Sequence, residues 1–141
     1  MKTLKSMLAG ITLLFICVAA NAITKPTADT PTKDDVVKVY IDAITSGNVI
    51  KLNNVVADDL QFDIQRGQNV NTLNKNQLID YLKNNTVPDP SVKTTTRVEQ
   101  EDDNSAVVKV EFKYDSYSRT DEVTLYKTRT WLITKVVSIV K

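Results

Sequence analysis

The chain has 141 residues, of which 42% are hydrophobic and 25% charged, with 18 basic against 17 acidic side chains. This balance is typical of one globular domain and argues against disordered, fibrous and strongly nucleic-acid-binding proteins. The chain contains no histidine, one cysteine and three glycines. These absences exclude several chemistries, whereas no residue pattern by itself identifies a function.

The first 22 residues have the pattern of a secretory signal peptide. Lys2 and Lys5 precede an apolar run over residues 7–20, and positions 20–22 read Ala-Asn-Ala. A basic start, an apolar stretch of roughly 7–15 residues and small residues at the cleavage site define such a signal. A membrane anchor, the alternative interpretation, needs about 20 apolar residues. We therefore predict cleavage after Ala22, a periplasmic or secreted protein, and no membrane contact after cleavage.

Two segments follow the predicted signal. Residues 23–31 are rich in Thr and Pro and have no hydrophobic period, so they are expected to form a flexible leader. Residues 32–141 carry regular hydrophobic patterns and are predicted to form one domain.

Capping patterns and apolar spacing predict three helices in the first part of the domain. Thr32 with Asp35 forms a capping box before apolar residues at helical spacing, and residues 74–77 repeat that pattern. Gly47 is expected to end the first helix in a left-handed conformation. Apolar residues at positions 49–56 predict a short second helix between the two.

The remaining patterns predict strands. Residues 60–65 alternate between apolar and polar, a turn follows at 66–69, and residues 70–73 form a short return strand. From Ser91 onward the alternation predicts only strands. Residues 131–140 are apolar on both faces, so this last strand should be central in the sheet or covered by a partner subunit.

This order predicts an α+β fold in which three N-terminal helices pack on a curved, mostly antiparallel sheet. The segments 37–48, 60–64 and 131–136, the last with a Trp-x-Ile opening, resemble the nuclear transport factor 2-like (NTF2-like) superfamily, a cone-shaped fold. Within it the chain is similar to small exported bacterial proteins of the "putative lumazine-binding" branch. The resemblance covers residues 32–140, but residues 127–130 replace the Asn-Gly-Lys turn usual before this Trp.

The missing residue types restrict catalysis. Without histidine the chain has no Ser-His or Cys-His nucleophile and no zinc site of the usual type. Calcium is the remaining metal option, but the acidic residues at 99–103 lack the Asp-x-Asp-x-Asp-Gly loop, so we expect no metal site and no cofactor. The isomerases among the relatives that the chain resembles use an Asp base. Asp63 is the only base that could be nominated, yet alternation directs it away from the Phe62 face, and no second acid is predicted inward. An enzyme is therefore the less favoured interpretation, and no catalytic residue is assigned.

Large aromatic residues fall on or near the predicted inward faces. They either fill the core or line a cone-shaped pocket for an apolar or flat ligand. The candidate pocket residues are Tyr40, Phe62, Tyr81, Tyr114 and Trp131.

Three functions are consistent with these patterns. The leading one is an exported, non-catalytic NTF2-like domain that binds a small apolar molecule or a protein partner, and nucleic acid is not expected as a partner. The second is a homodimeric interaction module that uses the outer face of the sheet. The third is a carboxylate-dependent isomerase or hydrolase of the NTF2-like type.

Overall fold

The computed structural model describes residues 30–141, so the predicted signal peptide and most of the predicted leader lie outside the described residues. The elements in chain order are helix α1 (Lys33–Ser46), helix α2 (Leu52–Val55), strand β1 (Val56–Arg66), strand β2 (Asn69–Leu73), helix α3 (Lys75–Asn85), strand β3 (Lys93–Glu101), strand β4 (Ser105–Lys113), strand β5 (Ser118–Lys127) and strand β6 (Trp131–Val140). Within the described part, no helix has the length and hydropathy needed to cross a membrane.

All six strands form one curved sheet in the order β2-β1-β6-β5-β4-β3. Every neighbouring pair is antiparallel except β1 with β6, which run parallel. The prediction that the last strand lies inside the sheet is confirmed, because β6 pairs with both β1 and β5. Its Trp131 pairs with Lys127 across a three-residue connection at 128–130. This connection stands where the proteins that the chain resembles have an Asn-Gly-Lys turn.

The prediction of three N-terminal helices is right only in part. The long helices α1 and α3 are present, and α3 follows the β1–β2 hairpin as the order of the sequence patterns predicted, but α2 has only four residues and α3 is not N-terminal to the sheet. Lys51 precedes α2 without a side-chain cap, and β1 already begins at Val56. Val56 pairs with Ile133 of β6, and the register between the two strands shifts between Val56 and Gln61. Pairing with a distant strand therefore converts the end of the predicted second helix into the start of β1.

Both predicted capping boxes are present. The backbone N–H of Thr32 donates to the Asp35 carboxylate at 2.9 Å, and the Thr32 hydroxyl accepts from the Asp35 N–H at 3.2 Å. Asn74 and Gln77 make the same reciprocal bonds at the start of α3. These caps fix where each helix begins, and each helix then turns an apolar face to the sheet. The buried residues on these faces are Val36, Val37, Tyr40, Ala43 and Ile44 of α1, with Leu78 and Leu82 of α3.

We expect Gly47→Ala to destabilise the protein more than Gly67→Ala. Both glycines have positive φ, 76° and 59°, so each substitution costs about 1–2 kcal/mol of left-handed strain. At Gly47 the new Cβ would also lie 3.2 Å from the Thr86 Cβ, whereas at Gly67 it would meet open space. Urea denaturation of the two variants measures the difference, and equal free energies of unfolding would contradict the contact with Thr86.

Candidate functional site

A group of three polar side chains lies inside the apolar core. Tyr40 reaches down from α1, and its hydroxyl donates to the Asp121 carboxylate on β5 at 2.5 Å. Arg119, two residues earlier on the same strand, donates from Nε to the same carboxylate at 2.7 and 3.0 Å. Its Nη2 lies 3.4 Å from the Tyr40 hydroxyl oxygen. We call Tyr40, Arg119 and Asp121 the polar cluster.

Aromatic rings enclose the charged end of Arg119. Its guanidinium carbon lies 5.6 Å from the ring centre of Phe62 and 5.8 Å from that of Phe112. Both distances are within the range of a cation–π interaction. Because the Arg119 side chain is only 12% exposed and Asp121 is fully buried, the pair is largely removed from water.

The protonation states of the polar cluster follow from burial and charge. Burial raises the pKa of Tyr40 well above its usual range, and the Asp121 charge raises it further. Burial alone would lower the pKa of Arg119, but the Asp121 carboxylate more than compensates and the net pKa is raised. The phenol therefore remains a donor, and the guanidinium remains charged.

Ser138 adds a fourth buried polar group beside the cluster. It lies opposite Asp121 on one side and Ile64 on the other, in the middle of the sheet. In the described part of the chain its hydroxyl is the one buried side-chain polar atom without a hydrogen-bond partner. Buried hydroxyls normally have partners. Burying this hydroxyl therefore costs desolvation free energy that no hydrogen bond to the described chain offsets.

The next row of inward-facing side chains continues the polar character towards the edge of the sheet. Strand pairing places Arg66 of β1 and Arg119 of β5 on either side of Val140, with Asn69 of β2 beside Arg66. Two strand spacings separate the two arginines, about 10 Å between their Cα atoms. Arg119 is neutralised by Asp121, whereas Arg66 has no carboxylate within 4 Å among residues 30–141.

A pocket of about 280 Å³ lies at this end of the sheet, between the β1–β2 hairpin and α3. We call it the hairpin pocket. Tyr81 of α3 and the aliphatic side chain of Ile64 supply apolar surface, and a guanidinium and two carboxamides supply polar groups. Its lining residues are Ile64, Arg66, Asn69, Asn71 and Tyr81. None of them is acidic, so the pocket presents one positive charge and several hydrogen-bond donors.

The five predicted pocket residues lie in different places. Tyr40 and Phe62 both lie beside the Arg119 guanidinium in the core, and Tyr81 lines the hairpin pocket. Tyr114 stacks on Tyr117 just beyond the end of β4, with ring centres 4.3 Å apart. Burial, together with Tyr117, raises the pKa of Tyr114 to about 12.

Trp131 lies far from the other four predicted residues. It opens β6, and the Lys127 ammonium lies 6.0 Å from its ring centre. The other end of β6, beside Arg66 and Arg119, is about 30 Å away along a strand of this length. Trp131 is therefore remote from both the polar cluster and the hairpin pocket.

The expectation that no second acid faces inward was wrong, because Asp121 is fully buried. Counting back in steps of two from the inward Leu125 and Val123 reaches Asp121 and then Arg119. The alternation along this strand therefore predicts that both charged residues face inward. Asp63 does point away from the Phe62 face, as alternation predicted. It accepts hydrogen bonds from Thr72 at 2.7 Å and from Gln61 at 3.0 Å.

We expect Arg119→Met to destabilise the protein by about 3–5 kcal/mol, because it leaves a buried carboxylate without its charge partner. Adding Asp121→Asn should restore much of the loss, since the remaining amide is neutral. Arg97→Met is the matched control: Arg97 also pairs with the acid two residues along its strand, but its side chain is 72% exposed. That control should cost less than about 1 kcal/mol. Equal urea midpoints for the two single variants would contradict this account.

Several solved structures share this fold. An NTF2-like protein of unknown function from Shewanella baltica OS155 superposes with a TM-score of 0.68 at 14% identity, covering 77% of this chain and 90% of that one. An NTF2-like protein of unknown function from Methylobacillus flagellatus KT gives 0.61 at 20% identity, covering 77% and 88%. A protein described as a "putative ketosteroid isomerase" from Parabacteroides distasonis ATCC 8503 gives 0.57 at 15% identity, covering 75% and 85%.

At these identities the likeness shows the fold alone, and the chain has the NTF2-like α+β fold. No match was found among curated proteins. The sequence profile of the family described as "Putative lumazine-binding" matches residues 28–136, which is most of the chain. The earlier resemblance is thus confirmed, and the chain belongs to this "putative lumazine-binding" family of NTF2-like proteins.

Proposed function

We propose that the protein is an exported binding protein that takes a small planar molecule in the hairpin pocket and performs no chemistry on it. The export part of the proposal rests on the signal pattern of the first 22 residues. The binding part rests on one observation. The hairpin pocket combines a phenol ring, an aliphatic side chain, two carboxamides and a guanidinium around about 280 Å³.

This lining suits a flat heterocycle with polar edges better than a purely apolar ligand. Tyr81 and Ile64 offer surface to the faces of a ring. Asn69 and Asn71 each offer both donors and acceptors, which match the alternating N–H and C=O groups at the edge of a lumazine-type ring. The volume lies just below the range of about 300–1,000 Å³ for drug-sized ligands, so it favours one or two fused rings.

The geometry supports binding more than catalysis. Tyr40 and Arg119 already engage both oxygens of the inward carboxylate of Asp121. Asp63 lies on the opposite face of β1, and the hairpin pocket is lined by no acid. The hairpin pocket therefore offers no carboxylate as the general base that an isomerase or hydrolase of this type needs.

The test is titration with lumazine, followed by its intrinsic fluorescence. We expect saturable binding to the wild-type protein. Tyr81→Ala should weaken it about tenfold, because the ring loses its aromatic wall. Tyr126→Ala is the matched control, since that ring is 53% exposed on the outer face of β5 and should leave affinity unchanged. Equal affinities of both variants, or no binding to the wild type, would contradict the proposal.

The homodimer is a second candidate, favoured by the outer face of β6. Val137 and Ile139 are only half-buried there and line a groove of about 350 Å³. Charged residues of both signs, Lys109, Glu111, Glu122 and Lys141, surround them. An apolar centre with mixed charges at its rim can be self-complementary about a two-fold axis.

For this candidate we expect a dimer of the wild-type protein in sedimentation velocity. Ile139→Glu should yield a monomer, because it places an unpaired charge in the apolar centre. Asn76→Glu, an exposed change on α3 at the opposite face of the sheet, should leave the dimer intact. A wild-type monomer at high concentration would remove the dimer from consideration.

A further inference from the structure

Arg66 is placed differently from two other arginines of the sheet. Arg97 and Arg119 each pair with a carboxylate two residues further along the same strand, which faces the same side. On its own strand and face, Arg66 has Ile64 as its neighbour two residues away. The residues opposite it on the adjoining strands are Asn69 and Val140. Each of these neighbouring positions on the inner face is therefore neutral.

The charge of Arg66 sets the electrostatic character of the hairpin pocket. The lining contains no carboxylate, and Arg119, the next arginine in the row, is already neutralised by Asp121. A neutral ligand that covered Arg66 would remove water from the guanidinium without giving it a charge partner, which is unfavourable. A ligand with a carboxylate would provide that partner with two parallel hydrogen bonds.

We propose that the ligand of the hairpin pocket is an organic anion, namely a carboxylate carried on a flat ring. This inference rests on the function proposed above and specifies the ligand class of the same site. Arg66 binds the carboxylate, and the amide N–H groups of Asn69 and Asn71 donate to the same group or to the ring edge. Tyr81 and Ile64 contact the faces of the ring.

The test compares lumazine with lumazine-6-carboxylate, two probes that share one ring and differ by one charged group. At about pH 6 a carboxyl group is ionised. We expect the wild-type protein to bind the carboxylate about tenfold more tightly than lumazine, and added sodium chloride to reduce that preference by screening. Arg66→Gln should bring the ratio of the two affinities close to one, because the carboxylate loses its charge partner while both probes keep the same ring contacts.

Arg129→Gln is the matched control, because Arg129 is exposed in the β5–β6 connection at the other end of the sheet. It should retain the wild-type ratio. Urea midpoints of both variants check that folding is unchanged, as expected for exposed residues. If lumazine binds but the carboxylate gains nothing, or if Arg66→Gln keeps the preference, the anion inference fails and the proposed function stands. If neither probe binds the wild-type protein, both fail.

Discussion

The buried carboxylate of Asp121 is the constraint on which the interior depends. A charge in an apolar core is tolerated only when it is paired and hydrogen-bonded. Arg119 supplies the charge from the same strand, and Tyr40 supplies a hydrogen bond from α1. The helix must therefore lie where its phenol reaches β5, and the rings of Phe62 and Phe112 must leave room for the guanidinium. Apolar side chains of the same shape often pack as stably as a buried ion pair, so the presence of this pair is not by itself evidence of added stability.

Local signals in the sequence were sufficient for much of the fold. The capping boxes at Thr32 and Asn74 depend on residues three positions apart, and Gly47 ends α1 through its own φ. The apolar sequence of residues 131–140 correctly indicated a strand inside the sheet. In contrast, the start of β1 at Val56 depends on pairing with Ile133, which no local pattern contains. The spacing of apolar residues indicated helix there, and the distant strand pairing prevailed.

The candidate site was harder to predict than the fold, because the search concentrated on aromatic residues. Of these, only Tyr81 lines the hairpin pocket, and Tyr40 belongs to the polar cluster. The polar lining comes from Arg66, Asn69 and Asn71, which as a sequence form an ordinary turn and a short strand. They become a site only because α3 packs beside the hairpin, and that packing involves residues separated in sequence. Arg119 and Asp121 lie on a strand with alternating hydrophobicity, but the face of the sheet that they occupy was not predicted from the sequence.

The position of β6 in the sheet has a consequence for biosynthesis. The ribosome makes β6 after the other five strands, yet β6 lies between β1 and β5 and joins them. Until it emerges, the β1–β2 hairpin and the β3–β4–β5 meander have no strand to connect them. Such non-local closure is intrinsically slow. A nascent chain therefore lacks its complete sheet until synthesis has passed residue 140, and until then the two parts of the sheet stay unjoined.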